Sequence, residues 1–296
     1  MATYGTIYTY WAKNWDGNDP VELVNRVADA GLTGMEIHAS EFVGWPEDKL
    51  ADFKKLAKDR NVEINYTIYP TEEQGLSYYS EDPAVRTKTV EYMKGQVAWA
   101  VKMGGKVSNT TIHSTWPAKP VTPITDKEPY FEKIAECMRP ICKTAEDEGL
   151  LLATEISNRF EGFIVTTVAE LRHLMDLSGN PQALGITFDT FHANIEEDDM
   201  AAAVRLAGDK IYHVHLGEAN RRLPGQGKQI NWDLFFKELR MLGYDKMLMV
   251  EPFVVTGGSV AYNTFLWRDL SGGANEAELT KQLRESMEFI KNKFEG

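Results

Sequence analysis

The chain reads as an α/β protein, a single (β/α)₈ TIM barrel spanning residues 1–296. Three observations predict it. Short apolar runs alternate eight times with amphipathic helix patterns, and strands alternating with helices of this length imply a parallel sheet. The length of 296 residues accommodates eight such units in one domain. No glycine-rich dinucleotide fingerprint follows the first strand, which weighs against an open doubly wound sheet.

Each element has its own local reason. Thr6–Trp11 reads as the first strand, and Asp19-Pro20 then opens a helix with a capping side chain and a proline at the first helical position. Val24, Val27, Ala28 and Gly31 follow the i, i+3, i+4, i+7 spacing of one helical face. GMEIHA is the second strand, followed by a helix from Pro46 to about Arg60; EINYTIY is the third, followed by a helix from Pro83 to Met103. The fourth covers about Lys106–Thr111, and its loop carries His113, Trp116 and several prolines. The next helix, Pro129–Glu148, holds Pro140 in its interior. A kink or break is expected there, because proline removes a hydrogen bond and clashes with the preceding turn. The last four strands read LLATE, GITFD, YHVH and MLMVE, with helices starting near Thr167, Asp198 and Trp232. The final helix, Glu276–Phe294, places Leu279, Leu283, Met287, Ile290 and Phe294 on one stripe. No Pro-, Gly- or Ser-rich linker interrupts the pattern.

Composition narrows the function. A formal charge of −12, without a Lys/Arg cluster, opposes nucleic-acid binding, which is dominated by basic contacts to phosphate. No apolar run approaches the roughly 18 residues of a membrane span. The start MATYGTIYTYWAKNW lacks the layout of a secretory signal, so a cytoplasmic location is expected. Cys137 and Cys142, five residues apart in a helix, read as buried or half-buried free thiols.

The chemistry concentrates on four residues. Each of the last four strand-like runs stops on a potential ligand: Glu155, Asp189, His215 and Glu251, at intervals of 34, 26 and 36 residues. In a (β/α)₈ barrel the C-terminal strand ends converge on one rim. Three carboxylates and an imidazole make a hard, oxygen-rich set suited to Mn²⁺, Mg²⁺ or Co²⁺, unlike the thiolate-rich sets of structural zinc. Glu155 and Glu251 come from non-adjacent strands, a placement that suits a two-base proton shuttle. Glu161, His192 and Arg221 lie on loops just beyond strand ends, where barrel enzymes hold their substrates; position alone does not separate that role from a side chain that simply faces water. His213, two residues before His215, is expected one layer deeper. His38 ends an early strand and reads as packed core or site lining. His173 falls on a helix surface, and Trp116 reads as pocket wall or aromatic core.

These segments resemble the ketose 3-epimerases, the D-tagatose 3-epimerase and D-allulose (D-psicose) 3-epimerase group of xylose-isomerase-like barrels. The resemblance is carried by Glu155-Ile-Ser-Asn-Arg-Phe-Glu161, by Asp189-Thr-Phe-His192 with Asn194-Ile-Glu-Glu197, by His213-Val-His215-Leu-Gly-Glu-Ala-Asn-Arg221 and by Glu251-Pro-Phe253. Tyr8-Thr-Tyr-Trp11 and Trp267-Arg-Asp-Leu-Ser-Gly-Gly273 match as well. The resemblance implies a divalent metal, Mn²⁺ first with Co²⁺ or Mg²⁺ as alternatives, on Glu155, Asp189, His215 and Glu251. It implies Glu155 and Glu251 as the acid/base pair inverting C3 of a free ketose, with Glu161, His192 and Arg221 at the O1–O2 end of the sugar. It also implies a homodimer or homotetramer. Ile7 stands where relatives usually carry an aromatic, and the loop His113–Pro123 departs in detail; with Trp116, these bear on sugar choice. Another sugar isomerisation on this scaffold, an apurinic-endonuclease-like hydrolase and a non-catalytic sugar-binding module are the competing readings. The low histidine count and the acidity oppose the hydrolase, and the intact Glu pair opposes the module.

Overall fold

The computed structural model describes residues 2–296. Eight strands run β1 (Thr3–Ile7), β2 (Gly34–His38), β3 (Glu63–Thr67), β4 (Val107–Thr110), β5 (Leu151–Glu155), β6 (Leu184–Asp189), β7 (Ile211–Leu216) and β8 (Met247–Val250). Their hydrogen-bonded order is β3-β2-β1-β8-β7-β6-β5-β4. Each pairing resolved in register is parallel, and Ile68, just past β3, bridges Thr110 of β4 in the same sense. This is the (β/α)₈ order that the alternation predicts. By backbone contacts the chain divides into two compact units, Met1–Asn65 with Val214–Gly296, and Tyr66–His213.

In the first unit, β1 is shorter than the aromatic run suggests. It stops at Ile7, and Tyr8–Tyr10 form a 3₁₀ turn. The Tyr10 hydroxyl donates to the Leu279 carbonyl at 2.8 Å, which ties this turn to the final helix. Helix α1 (Pro20–Asp29) starts as expected, with Asp19 accepting from Val21 N. Its buried stripe is Leu23, Val24 and Val27, whereas Gly31 lies beyond the helix with φ of +80°, a left-handed position that suits glycine. Helix α2 spans Glu47–Asp59.

In the second unit, helix α3 (Pro83–Lys102) is capped by Asp82. Helix α4 (Glu128–Glu148) runs through Pro140 without interruption, so the expected break is absent. Pro140 is exposed, which lets water reach the carbonyl that the ring leaves without a helical partner. Cys137 and Cys142 lie on the buried face of α4 as free thiols. Helix α5 (Val168–Leu177) carries His173 on its exposed side, paired with Glu128 at 2.9 Å. Two helices follow β6 where one was expected: α6 (Thr190–Glu196) begins on the residue after β6, and α7 (Met200–Ala207) is capped by Asp199.

The chain then returns to the first unit through α8 (Trp232–Met241), the short α9 (Gly258–Asn263) and α10 (Glu276–Glu295). The predicted stripe Leu279, Leu283, Met287, Ile290 and Phe294 is buried throughout, each side chain contributing about 1.5–3 kcal/mol of apolar burial. Among the described residues no helix is long and apolar enough to cross a membrane.

Candidate active site

In the second unit the site is built from the ends of β4, β5 and β6. Glu155 closes β5, in register with Thr187 of β6. Asn109 of β4 donates from Nδ2 to Glu155 Oε2 at 3.4 Å, and its Oδ1 accepts from the Thr187 hydroxyl at 2.8 Å. Asp189 closes β6 and also caps α6, its Oδ1 accepting from the N–H groups of Phe191 (2.5 Å) and His192 (3.2 Å). With Oδ1 committed to the helix, Oδ2 is the atom Asp189 offers as a ligand. Because α6 starts without a connecting loop, its first turn swings His192 back over the strand end. Its Nε2 stands 3.7 Å from Glu155 Oε1 and 4.0 Å from Asp189 Oδ2.

The loop after β5 completes this half. Glu161 is buried; its Oε1 accepts from Asn158 Nδ2 at 3.1 Å and its Oε2 from Trp116 Nε1 at 2.9 Å. Trp116 is thus more than an apolar wall, since its indole N–H holds Glu161. Arg159 clamps the loop to α6 through two side-chain bonds and one backbone bond to Glu196 at 2.8–3.1 Å. His113, fully buried, meets the Thr154 hydroxyl at 3.1 Å, and burial pushes its imidazole down to about 4.

In the first unit, His215 of β7 is fully buried, with Nε2 3.0 Å from Glu36 Oε2 and Nδ1 3.5 Å from Glu251 Oε1. The Glu36 contact calls for the proton on Nε2 and leaves the Nδ1 lone pair available to a cation. Glu251 follows β8 directly, its N–H bonded to the Leu216 carbonyl at 3.0 Å. Its Oε2 accepts from Arg221 Nη1 at 2.8 Å, and the same guanidinium lies 4.8 Å from the Phe253 ring centre. Arg221 holds φ at +66°, a left-handed backbone that costs a non-glycine residue about 1–2 kcal/mol. Bonds from Arg221 N to Glu218 O (2.9 Å) and from Phe253 N to Arg221 O (3.0 Å) sustain it. Buried Glu218 accepts from Gly225 N and Trp232 Nε1, and a Cβ on Gly227 would stand 2.4 Å from its Oε2, so a side chain there would displace the Glu218 carboxylate. Arg222 Nη1 donates to the Leu270 carbonyl at 2.6 Å.

Glu155, Asp189, His215 and Glu251 each offer one ligand atom, all within 4.8 Å of one another. The donor set of three carboxylates and one imidazole fits a hard divalent cation. Glu36, His213 and His215 form a second such group, but there Glu36 and His215 already meet directly at 3.0 Å. His213 is fully buried, in line with the deeper layer expected for it. His38 caps the turn after β2: its Nδ1 accepts from Ser40 N, and burial lowers it to about 4 against the opposing pull of Glu36. Ile7, buried at the end of β1, is the register partner of Glu36.

Three supporting residues escape a reading of the sequence. Glu36 left one signal, a lone carboxylate between apolar neighbours in a short strand. Asn109 and Asn158 left none, because amides are common in loops and strand ends.

The family model described as "Xylose isomerase-like TIM barrel" matches residues 24–293. A D-psicose 3-epimerase of Agrobacterium fabrum is 33% identical over 287 residues, 97% of each chain. A crystal structure of D-psicose 3-epimerase in the presence of D-fructose superposes with a TM-score of 0.93 at 32% identity, covering 99% of this chain and 100% of that one. The D-psicose 3-epimerase of Clostridium cellulolyticum H10 with D-tagatose gives 0.92 at 30% identity, covering 99% of each. The chain belongs to the xylose isomerase-like TIM barrels and, within them, to the ketose 3-epimerases, isomerases acting on carbohydrates.

Proposed function

We propose that this enzyme interconverts the C3 epimers of free ketoses, with pairs such as D-fructose/D-allulose, D-tagatose/D-sorbose and L-ribulose/L-xylulose as its substrate class. The observation that carries the reading is the ligand group itself: two of its four members, Glu155 and Glu251, are carboxylates held by separate sets of partners. Glu155, Asp189, His215 and Glu251 would hold the cation, Mn²⁺ by preference with Co²⁺ or Mg²⁺ as alternatives. When bound, a divalent ion polarises a neighbouring carbonyl, an effect of several kcal/mol.

The proton work falls to the two glutamates. One carboxylate takes the C3 proton, and the C–H electron pair moves toward the C2 carbonyl oxygen to give an enediolate. The other, protonated, returns a proton to C3 from the opposite face, which inverts that carbon and leaves the carbonyl at C2. Reversal exchanges the two roles. A positioned carboxylate contributes about 10²- to 10⁴-fold as general base or acid. Glu161, His192 and Arg221 are the proposed contacts to the O1–O2 end, and Ile7 and Trp116 the positions bearing on sugar choice.

We also propose that the two units form one catalytic domain, since their boundaries cut β3 and β7 within single strands. Assembly as a homodimer or homotetramer and a cytoplasmic location complete the reading. Incubating Mn²⁺-loaded protein with D-fructose, D-tagatose and L-ribulose in D₂O tests the core of it. Deuterium should enter C3 as the epimer forms; no label at C3 of any ketose refutes it.

A further inference from the structure

What stands behind His192 decides what its site-facing nitrogen can do. The N–H of Phe160 donates to Asn158 Oδ1 at 2.9 Å. A backbone N–H can only donate, so this contact fixes the amide with Nδ2 on its other side. There Nδ2 lies 2.8 Å from His192 Nδ1 and 3.1 Å from Glu161 Oε1. The backbone N–H of Asn158 reaches the same His192 Nδ1 at 3.1 Å. Two groups that can only donate therefore converge on Nδ1, which must accept. A neutral imidazole accepting at Nδ1 carries its proton on Nε2.

Nε2 is the nitrogen that faces Glu155 and Asp189, at 3.7 and 4.0 Å, and neither distance is a hydrogen bond. Both partners of this arrangement are buried, Asn158 at 1% and His192 at 3% exposure. They are also held to one support, because Arg159, between Asn158 and Phe160, is clamped to Glu196 on the helix that bears His192.

We propose that Asn158 fixes His192 as the Nε2–H tautomer, making it a dedicated hydrogen-bond donor to the ketose oxygen lying beside Glu155. Asn158 is a positioning residue: it acts through His192 and, by its second N–H, through Glu161. The proposal rests on the reading of His192 as a sugar contact.

The test is the ¹⁵N spectrum of Mg²⁺-loaded, histidine-labelled protein recorded without sugar, with His192 assigned by its loss in H192Q. The wild type should show an unprotonated Nδ1 and a protonated Nε2. Asn158→Asp puts an acceptor against Nδ1, so the pattern should reverse, with kcat/KM for D-fructose falling about 10- to 100-fold. A proton on Nδ1 in the wild type, or an unchanged pattern in Asn158→Asp, overturns the proposal. If that variant does not fold, Asn158→Ala serves: with only the backbone donor left, a mixture of tautomers is expected, and a pure wild-type pattern would remove the side chain from the account. Because the spectrum needs no sugar, the tautomer assignment and the epimerase reading fail separately.

Discussion

Glu155 is approached by an amide, Asn109 Nδ2 at 3.4 Å, whereas Glu251 is gripped by a guanidinium, Arg221 Nη1 at 2.8 Å. The two side chains are alike in exposure, 13% and 15%. The Asn109 contact sits at the long end of hydrogen bonding and only its acceptor is charged; the Arg221 contact is short and joins two opposite charges. One carboxylate is thus placed by the strand it ends and the loop packed around it. The other is placed by an ion pair whose arginine is itself held in a left-handed turn. Groups proposed for mirror-image chemistry need not be supported in the same way.

The largest expected effects come from the carboxylates themselves. E155Q and E251Q should each lower kcat about 10²- to 10⁴-fold while leaving the circular dichroism spectrum unchanged. Unchanged turnover in both would refute the shuttle. The comparison is sharpened by removing the partners instead. R221A leaves Glu251 as a half-buried charge and should cost about 3–5 kcal/mol of stability, while N109A should cost about 0.5–1.5 kcal/mol. Urea unfolding of the metal-free proteins measures both, and equal losses would break the contrast.

Acid should affect the two regions alike. Burial lowers His113, beside the Glu155 strand, and His38, on the Glu36 strand, from 6.5 to about 4. Their folded values lie below the unfolded one, so the unfolded chain takes up protons first. Stability should therefore fall as pH drops from about 6.5 toward 4. H113N and H38N should each flatten that decline in urea midpoints measured at pH 7, 5.5 and 4.5. The smallest effect concerns Cys137 and Cys142, whose thiols burial pushes up to about 11 and 12. Neither should react with Ellman's reagent at pH 8 until the protein unfolds.

Most of the fold was legible because strand and helix periodicities are local. Asp19, Asp82 and Thr167 cap the helices that their sequence contexts announce. The misses are equally physical. Tyr8–Tyr10 have strand-forming side chains, but the bond from Tyr10 to Leu279, 269 residues away, holds them in a turn. The helix α6 was hidden because Asp189 acts as ligand candidate and cap at once. Helix α4 continues through Pro140, which lies on its exposed face, where water can reach the carbonyl left without a helical donor.

The alternation of elements, the four candidate ligands at the last strand ends and the two glutamates among them are legible in the amino-acid order alone. Each of these follows from the order of residues along one segment. What holds these candidate site residues emerges only on folding: Glu36 against His215 across 179 residues, Asn109 against Glu155 across 46, and Asn158 against His192 across 34. Such pairings depend on the register between strands and on how a loop folds over its neighbour, and both are fixed only when the whole chain packs.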